Sequence, residues 1–268
     1  MTIHATAQVS PAARLGKDVS VGPFAVIGEN VTIGDGSDIG PHVAVFPYTT
    51  IGARCRIHAG AVLGDLPQDL SFKEVPSYVR IGDECVIREG VTIHRGTKAE
   101  TVTEIGDGCY LMAFSHFAHN VRLGRSVIVA NGALLAGYVD VGDRVFISGN
   151  CVVHQFVRIG RLAMLGGASG ISKDVPPFCT TRPAEVNRLV GLNVVGMRRA
   201  GMNPEERLEV KRAFTLLYRS GLNFREAAQR IREQTTSPMA VELADFVGAS
   251  KRGICAMRAE AVPTEDEG

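Results

Sequence analysis

The sequence predicts a mainly β protein: a parallel β-helix of six-residue repeats, followed by a small α-helical domain. Three observations carry this. Large apolar residues recur every six positions through the first two thirds of the chain. Glycine and small residues hold fixed places within each six. Beyond residue 178 the period becomes that of amphipathic helices.

The repeat is read by stepping six at a time from Ile3. The lead positions run Val9, Leu15, Val21, Ile27, Ile33, Ile39, Val45, Ile51, Ile57 and Leu63. The phase returns at Ile81, Ile87 and Ile93, then from Ile105 through Phe117, Leu135 and Ile147 to Ile171. All 26 leads are large and apolar, and Gly follows the lead in 13 of them. The fifth position is small or β-branched, as at Ala25, Val31, Ala133 and Val139. A helical period of 3.6 cannot sustain a strict six, whereas short strands turning at regular corners can. Lead and fifth residues then point inward, and Gly relieves crowding at the corners. Cys55, Cys85, Cys109 and Cys151 all fall at fifth positions and are expected as core fillers, neither metal ligands nor disulfides.

Two polar segments interrupt the phase, near 66–79 and 98–104, and are expected to project as loops that can carry binding residues. The repeat closes at Lys173–Phe178, where two prolines end the strand pattern, giving a first domain of 1–180. The second domain, 186–256, reads as helical. Asn203-Pro204-Glu205-Glu206 is a capped helix start, with Leu208, Phe214, Leu217 and Tyr218 near one face and Gly221 as the stop. Asn223 and Ser237-Pro238 start two more helices, which would cap the open prism end. The acidic stretch 257–268 is expected to fray.

Lys and Arg number 29 against 28 Asp and Glu, in 268 residues. This balance argues against a general nucleic-acid binder or a basic membrane-surface protein. No apolar run is long enough for a transmembrane helix. No basic start followed by an apolar block is visible, so the expected location is cytoplasmic, with the six cysteines reduced.

None of the seven histidines holds a lead or fifth position, so none is expected in the prism core. His116 and His119 flank the lead Phe117 and should point outward amid Leu111, Met112, Ala113, Phe114 and Ala118. So apolar an outward face calls for a partner, most simply another subunit. Gly137 lies 18 residues after His119, one coil on if three hexads make a coil. His154 and Gln155 follow on the next. A histidine suits general-base work, and a backbone N–H suits the oxyanion of acyl transfer. No Ser or Cys nucleophile motif appears, so direct transfer fits better than an acyl-enzyme. No phosphate loop and no three-ligand metal spacing is present, so neither cofactor nor metal is expected.

The segments PQDL (67–70), IREGVTIHRGT (87–97), HFAHNVRLG (116–124), LLAG (134–137), VHQFVRIG (153–160), GGASGISKDVPPF (166–178) and GLNVVGMRRAG (191–201) resemble the bacterial UDP-N-acetylglucosamine 3-O-acyltransferases, which act first in lipid A synthesis. The resemblance implies a left-handed β-helix and a homotrimer with sites between neighbouring prisms. It also implies a 3-hydroxyacyl donor on acyl carrier protein and UDP-N-acetylglucosamine as acceptor. His119 matches the family's general base and the Gly137 N–H its oxyanion donor. His116, His94, Asp69, Gln68 and His154 match substrate contacts. Gln155, Asn193 and Arg199 match the nucleotide and donor side, and Arg198 would join Arg199 on the carrier's phosphate. Gly167 matches the position limiting acyl length, and its bareness would admit a longer chain. Arg188, Arg207, Lys211 and Arg212 are further candidates for the acidic carrier.

Four positions depart from the family pattern. Asn120 stands where Asp is common, Tyr138 where His is frequent, Ser71 for Lys and Val195 for Glu. They leave a 3-amino sugar nucleotide open as acceptor. Three other readings fit less well. The pathway's later N-acyltransferase carries a domain before its repeat, whereas the hexads here begin at residue 3. A zinc-dependent β-helix enzyme would need three convergent histidines, and a bare scaffold would need no outward histidines.

Overall fold

The structure, a computed structural model, describes residues 1–257. The tail expected to fray lies, from residue 258 onward, outside the described residues. Twenty-six short strands, from Thr2–Ile3 to Gly170–Ile171, each hold one lead residue. Every third strand pairs in parallel with the next, so the strands form three sheets that are the faces of a triangular prism. The register step is one coil of 18 residues, as in Thr2↔Ser20 and His116↔Leu134. Where the loops intrude the step widens to Val62↔Thr92 and Thr92↔His116. The prism is the left-handed parallel β-helix.

From the second coil onward the leads and fifth residues fill the prism interior. Ile27, Ile33, Phe117 and Leu135 are buried, with Ala25, Val31 and Ala133 between them. Cys55, Cys85, Cys109 and Cys151 are buried free thiols. Each donates to a carbonyl of the next coil, at Gly82, Gly106, Gly124 and Gly166, over 3.1, 3.2, 3.2 and 3.1 Å. The corners divide their work between two positions. Glycine after the lead is a matter of space: a Cβ on Gly34 would lie 2.6 Å from the Ala53 nitrogen of the next coil. The left-handed backbone falls instead three residues after the lead, mostly on non-glycines such as Asn30, Asn120, Tyr138 and Asn150.

The end of the prism differs from the sequence reading. The prolines at 176 and 177 end a strand but not the coil. Cys179–Thr181 still pairs with Met164–Leu165, Arg188–Leu192 folds back antiparallel on it, and Ala256–Met257 adds to that strand. Helix therefore starts at residue 194 and not 186, because 188–192 is used to extend a sheet.

Four helices follow: α1 Val194–Arg199, α2 Pro204–Arg219, α3 Phe224–Gln234 and α4 Pro238–Gly248. The three expected starts hold, and Asn203 with Glu206 forms a complete capping box. The short α1 was not expected. Leu208 is exposed, since the buried face of α2 is Val210, Ala213, Phe214 and Leu217. Ala213, Phe214, Leu217, Ile231 and Leu243 join the prism core in one continuous apolar cluster, so the helices close the prism's end. Buried Asp174 ties the two parts together, accepting from the Arg158 N–H at 2.9 Å and the Ser250 hydroxyl at 2.8 Å.

Candidate active site

Strand His116–Phe117 ends at a corner that carries His119 and Asn120. The next coil brings Gly137 and Tyr138 to the same corner, and the one after brings Gln155 and Phe156. The repeat therefore stacks His119, Gly137 and Gln155 in one column. Gly137 faces the imidazole directly: a Cβ there would lie 2.6 Å from Nε2. The Gly137 N–H has no acceptor among the described residues.

The imidazole is held from its other side. Nδ1 lies 3.1 Å from Asn120 Oδ1. That oxygen also accepts the Thr97 backbone N–H at 3.1 Å and the Thr97 hydroxyl at 3.0 Å. An oxygen accepting a backbone N–H requires His119 Nδ1 to be the donor, so Nε2 is the unprotonated nitrogen of the neutral ring. Tyr138 meets the imidazole edge-on, with centroids 5.3 Å apart, and stacks on Phe156 at 4.9 Å. Its hydroxyl lies 3.1 Å from that of Thr97.

His94 and His116 form a second pair, with rings 5.2 Å apart and nearly perpendicular. Burial and then the neighbouring His94 push His116 down to about 4, while Thr92 Oγ1 bonds its Nδ1 at 2.7 Å. Burial likewise lowers His94, which lies outside the prism core but is only 6% exposed. Both are neutral groups at neutral pH. His94 packs on the outer side of the wall, and its Nδ1 is without a partner among the described residues.

Asp69 sits in the first loop, half-buried between exposed Gln68 and Leu70. Ser71 gives it a hydroxyl at 2.7 Å and a backbone N–H at 2.9 Å, which hold its carboxyl below the usual range. Ser71 thus orients the acid beside it. His154 and Gln155 are exposed. Arg252, 98 residues away, comes to 3.3 Å from His154 Nδ1. Asn193 is used within the chain: its Oδ1 caps α1 through the Gly196 N–H at 2.9 Å, and its Nδ2 donates to the Leu162 carbonyl at 2.8 Å. Arg198 and Arg199 are exposed in the last turn of α1. Gly167 lies at another corner, in a column with Gly149, and a Cβ there would meet nothing nearer than the Gly149 carbonyl oxygen at 3.8 Å.

Sequence reasoning missed Thr97, Thr92 and Arg252. Thr97 closes the matched segment IHRGT and so carried a signal. The reach of Arg252 had none. A cavity of about 450 Å³ lies beside the corner, lined by Glu100, Thr101, Asn120, Arg122, Tyr138 and Asp140. A second of about 460 Å³ is lined wholly by the helical domain. Among the described residues no three His, Cys, Asp or Glu side chains converge as a metal site. No described helix is long and apolar enough to cross a membrane.

The prism and its histidine corner define the class, the hexapeptide transferases. The profile of the bacterial transferase hexapeptide (six repeats) matches residues 12–47 and 103–137. The C-terminal part narrows this, because the profile described as UDP N-acetylglucosamine O-acyltransferase, domain 2, matches residues 174–255. An acyl-[acyl-carrier-protein]–UDP-N-acetylglucosamine O-acyltransferase of Halorhodospira halophila is 46% identical, covering 94% of this chain and 98% of its own. One from Campylobacter concisus is 38% identical, over 94% and 96%. The solved UDP-N-acetylglucosamine acyltransferase of Campylobacter jejuni superposes with a TM-score of 0.91 at 37% identity, covering 96% of this chain and all of its own. That of Francisella novicida gives 0.91 at 35% identity, over 97% and 95%. The chain belongs to the acyl-[acyl-carrier-protein]–UDP-N-acetylglucosamine O-acyltransferase family and is an acyltransferase.

Proposed function

We propose that the protein transfers a 3-hydroxyacyl chain from acyl carrier protein to the glucosamine 3-hydroxyl of UDP-N-acetylglucosamine, the first step of lipid A synthesis. His119 is the general base, and no covalent acyl-enzyme forms. The observation that carries this is the pairing of an unprotonated Nε2 with a free Gly137 N–H on the adjoining coil.

The acceptor hydroxyl binds against Nε2. As its oxygen attacks the thioester carbonyl, its proton passes to the imidazole, and the carbonyl oxygen gains charge beside the Gly137 N–H. The tetrahedral intermediate collapses by breaking the carbon–sulfur bond. The imidazolium then returns its proton to the departing thiolate of the carrier's arm. No enzyme nucleophile enters the balance, in keeping with six buried cysteines.

His116 and His94, neutral and close to the base, suit hydrogen bonding to the sugar. Asp69 and Gln68 reach in from the first loop. His154, Gln155, Asn193 and Arg199 serve the nucleotide and donor, Asn193 after leaving its cap or through its position on α1. The exposed apolar Leu134 and Val152 stand on the His116 sheet, which supports a homotrimer with sites between prisms.

The test is a mass-spectrometric acylation assay with UDP-N-acetylglucosamine, a series of 3-hydroxyacyl carrier proteins, and His119→Ala alongside. Acylated sugar nucleotide from wild type, largely lost in the variant, is expected. Equal product from both removes His119 as base, and no product with any donor removes the acceptor. Light scattering checks for a particle of three chains.

A further inference from the structure

We infer that Thr97 is the residue that makes an amide serviceable beside the base: by fixing which face Asn120 shows, it holds His119 in the tautomer with a free Nε2. The inference rests on the reading of His119 as general base. Thr97 touches no reacting atom and acts through Asn120, as a positioning residue.

A carboxylate beside an imidazole can only accept. An amide has two faces. If Asn120 turned its Nδ2 toward His119, Nδ1 would become the acceptor and the proton would move to Nε2. The ring could then take no proton from an acceptor hydroxyl. Nothing in an Asn side chain alone selects the useful face.

Thr97 selects it twice. Its backbone N–H, 3.1 Å from Oδ1, is a donor that no rotation can convert. Its hydroxyl adds a second bond to the same oxygen at 3.0 Å, and the two together are what hold the amide against turning. Turning the amide would set an NH2 group against an N–H at a residue only 8% exposed, leaving buried donors unpaired. Tyr138 completes the relay. With the Thr97 hydrogen committed to Asn120, the Tyr138 hydroxyl at 3.1 Å is the donor to Thr97 Oγ1. The Asn120 backbone is pinned in the left-handed region at φ 60°, its N–H on Thr103 Oγ1 at 2.7 Å. Asn120 and Tyr138 are two of the positions that the sequence resemblance marks as unusual. The structure joins them through Thr97 into one hydrogen-bonded unit.

The test combines a cycle of variants with a tautomer measurement. Thr97→Val keeps the shape and backbone N–H but deletes the hydroxyl, and Thr97→Ser restores it. Asn120→Asp supplies a side chain with no wrong face. In the wild-type background Thr97→Val should lower kcat at least about 10-fold with KM unchanged, since a histidine in the wrong tautomer is a poor base. Thr97→Ser should recover it. In the Asn120→Asp background Thr97→Val should cost little. A merely structural Thr97 would cost the same in both backgrounds, and that result overturns the inference. Nitrogen-15 spectra of labelled histidine should show His119 protonated on Nδ1 in wild type and as a tautomer mixture in Thr97→Val; identical spectra overturn it as well. The two failures are separable. Full activity in His119→Ala defeats the base assignment, while the spectra still decide whether Thr97 sets the tautomer.

Discussion

Gly137 stands one coil beyond His119, and so close that a Cβ on it would lie 2.6 Å from the imidazole Nε2. This glycine is required for space, since its backbone does not lie in the left-handed region. The same closeness that forbids a side chain sets the Gly137 backbone against the imidazole.

Gly137→Ala should therefore spare the fold and damage the chemistry. Its methyl displaces the imidazole, and a misplacement of about 1 Å costs on the order of 100-fold. We expect kcat to fall by that order, with the melting temperature little changed. Wild-type kcat in this variant would mean that the imidazole and the Gly137 N–H do not work together.

Much of this corner was legible because a period of six is a local and steric property. Past the first coil each lead buries a side chain, each coil repeats the last, and counting 18 from His119 lands on Gly137. The insertions obey no period, so the approach of Thr97 to Asn120 could not be counted out. Nor could the burial of His94, nor the meeting of Arg252 with His154, which depends on how the helical end folds back. Asn193 shows a different gap. The matched motif marks it as a contact and gives no sign that its amide also caps α1 and bonds the Leu162 carbonyl. The hairpin strand Arg188–Leu192 was hidden because two prolines signal a break without saying whether the chain leaves the sheet or turns back along it.

The depressed His116 has a consequence for stability. The unfolded chain takes up its proton as pH falls through 6.5, the ordinary value, but the folded chain does not until about 4. Between those values the unfolded state binds more protons, so stability falls as pH drops across this window and is present in full above it. His94 shifts in the same direction. Urea midpoints at about pH 7 and about pH 5 should differ less in His116→Gln than in wild type. An equal acid loss in both would show that His116 carries none of it.

Gly167 and Gly149 lie in one column on consecutive coils and leave a bare strip at that corner. A side chain at 167 meets no strain: its Cβ would have ordinary contacts, 3.8 Å to the Gly149 oxygen and 3.9 Å to Ser148 Cβ, and the backbone is not left-handed. Gly167→Met should accordingly fold as well as wild type while its side chain fills the strip. If the acyl chain lies there, its far methylenes lose their seat. Each buried methylene is worth about 0.8 kcal/mol, close to a fourfold effect, so two lost methylenes amount to roughly 15-fold. Competition between carrier proteins of different acyl length measures this as a ratio of kcat/KM. The variant should turn toward the shorter donor by about that factor for each two-carbon step removed. An unchanged ratio with an unchanged melting temperature would place the acyl groove elsewhere on the prism.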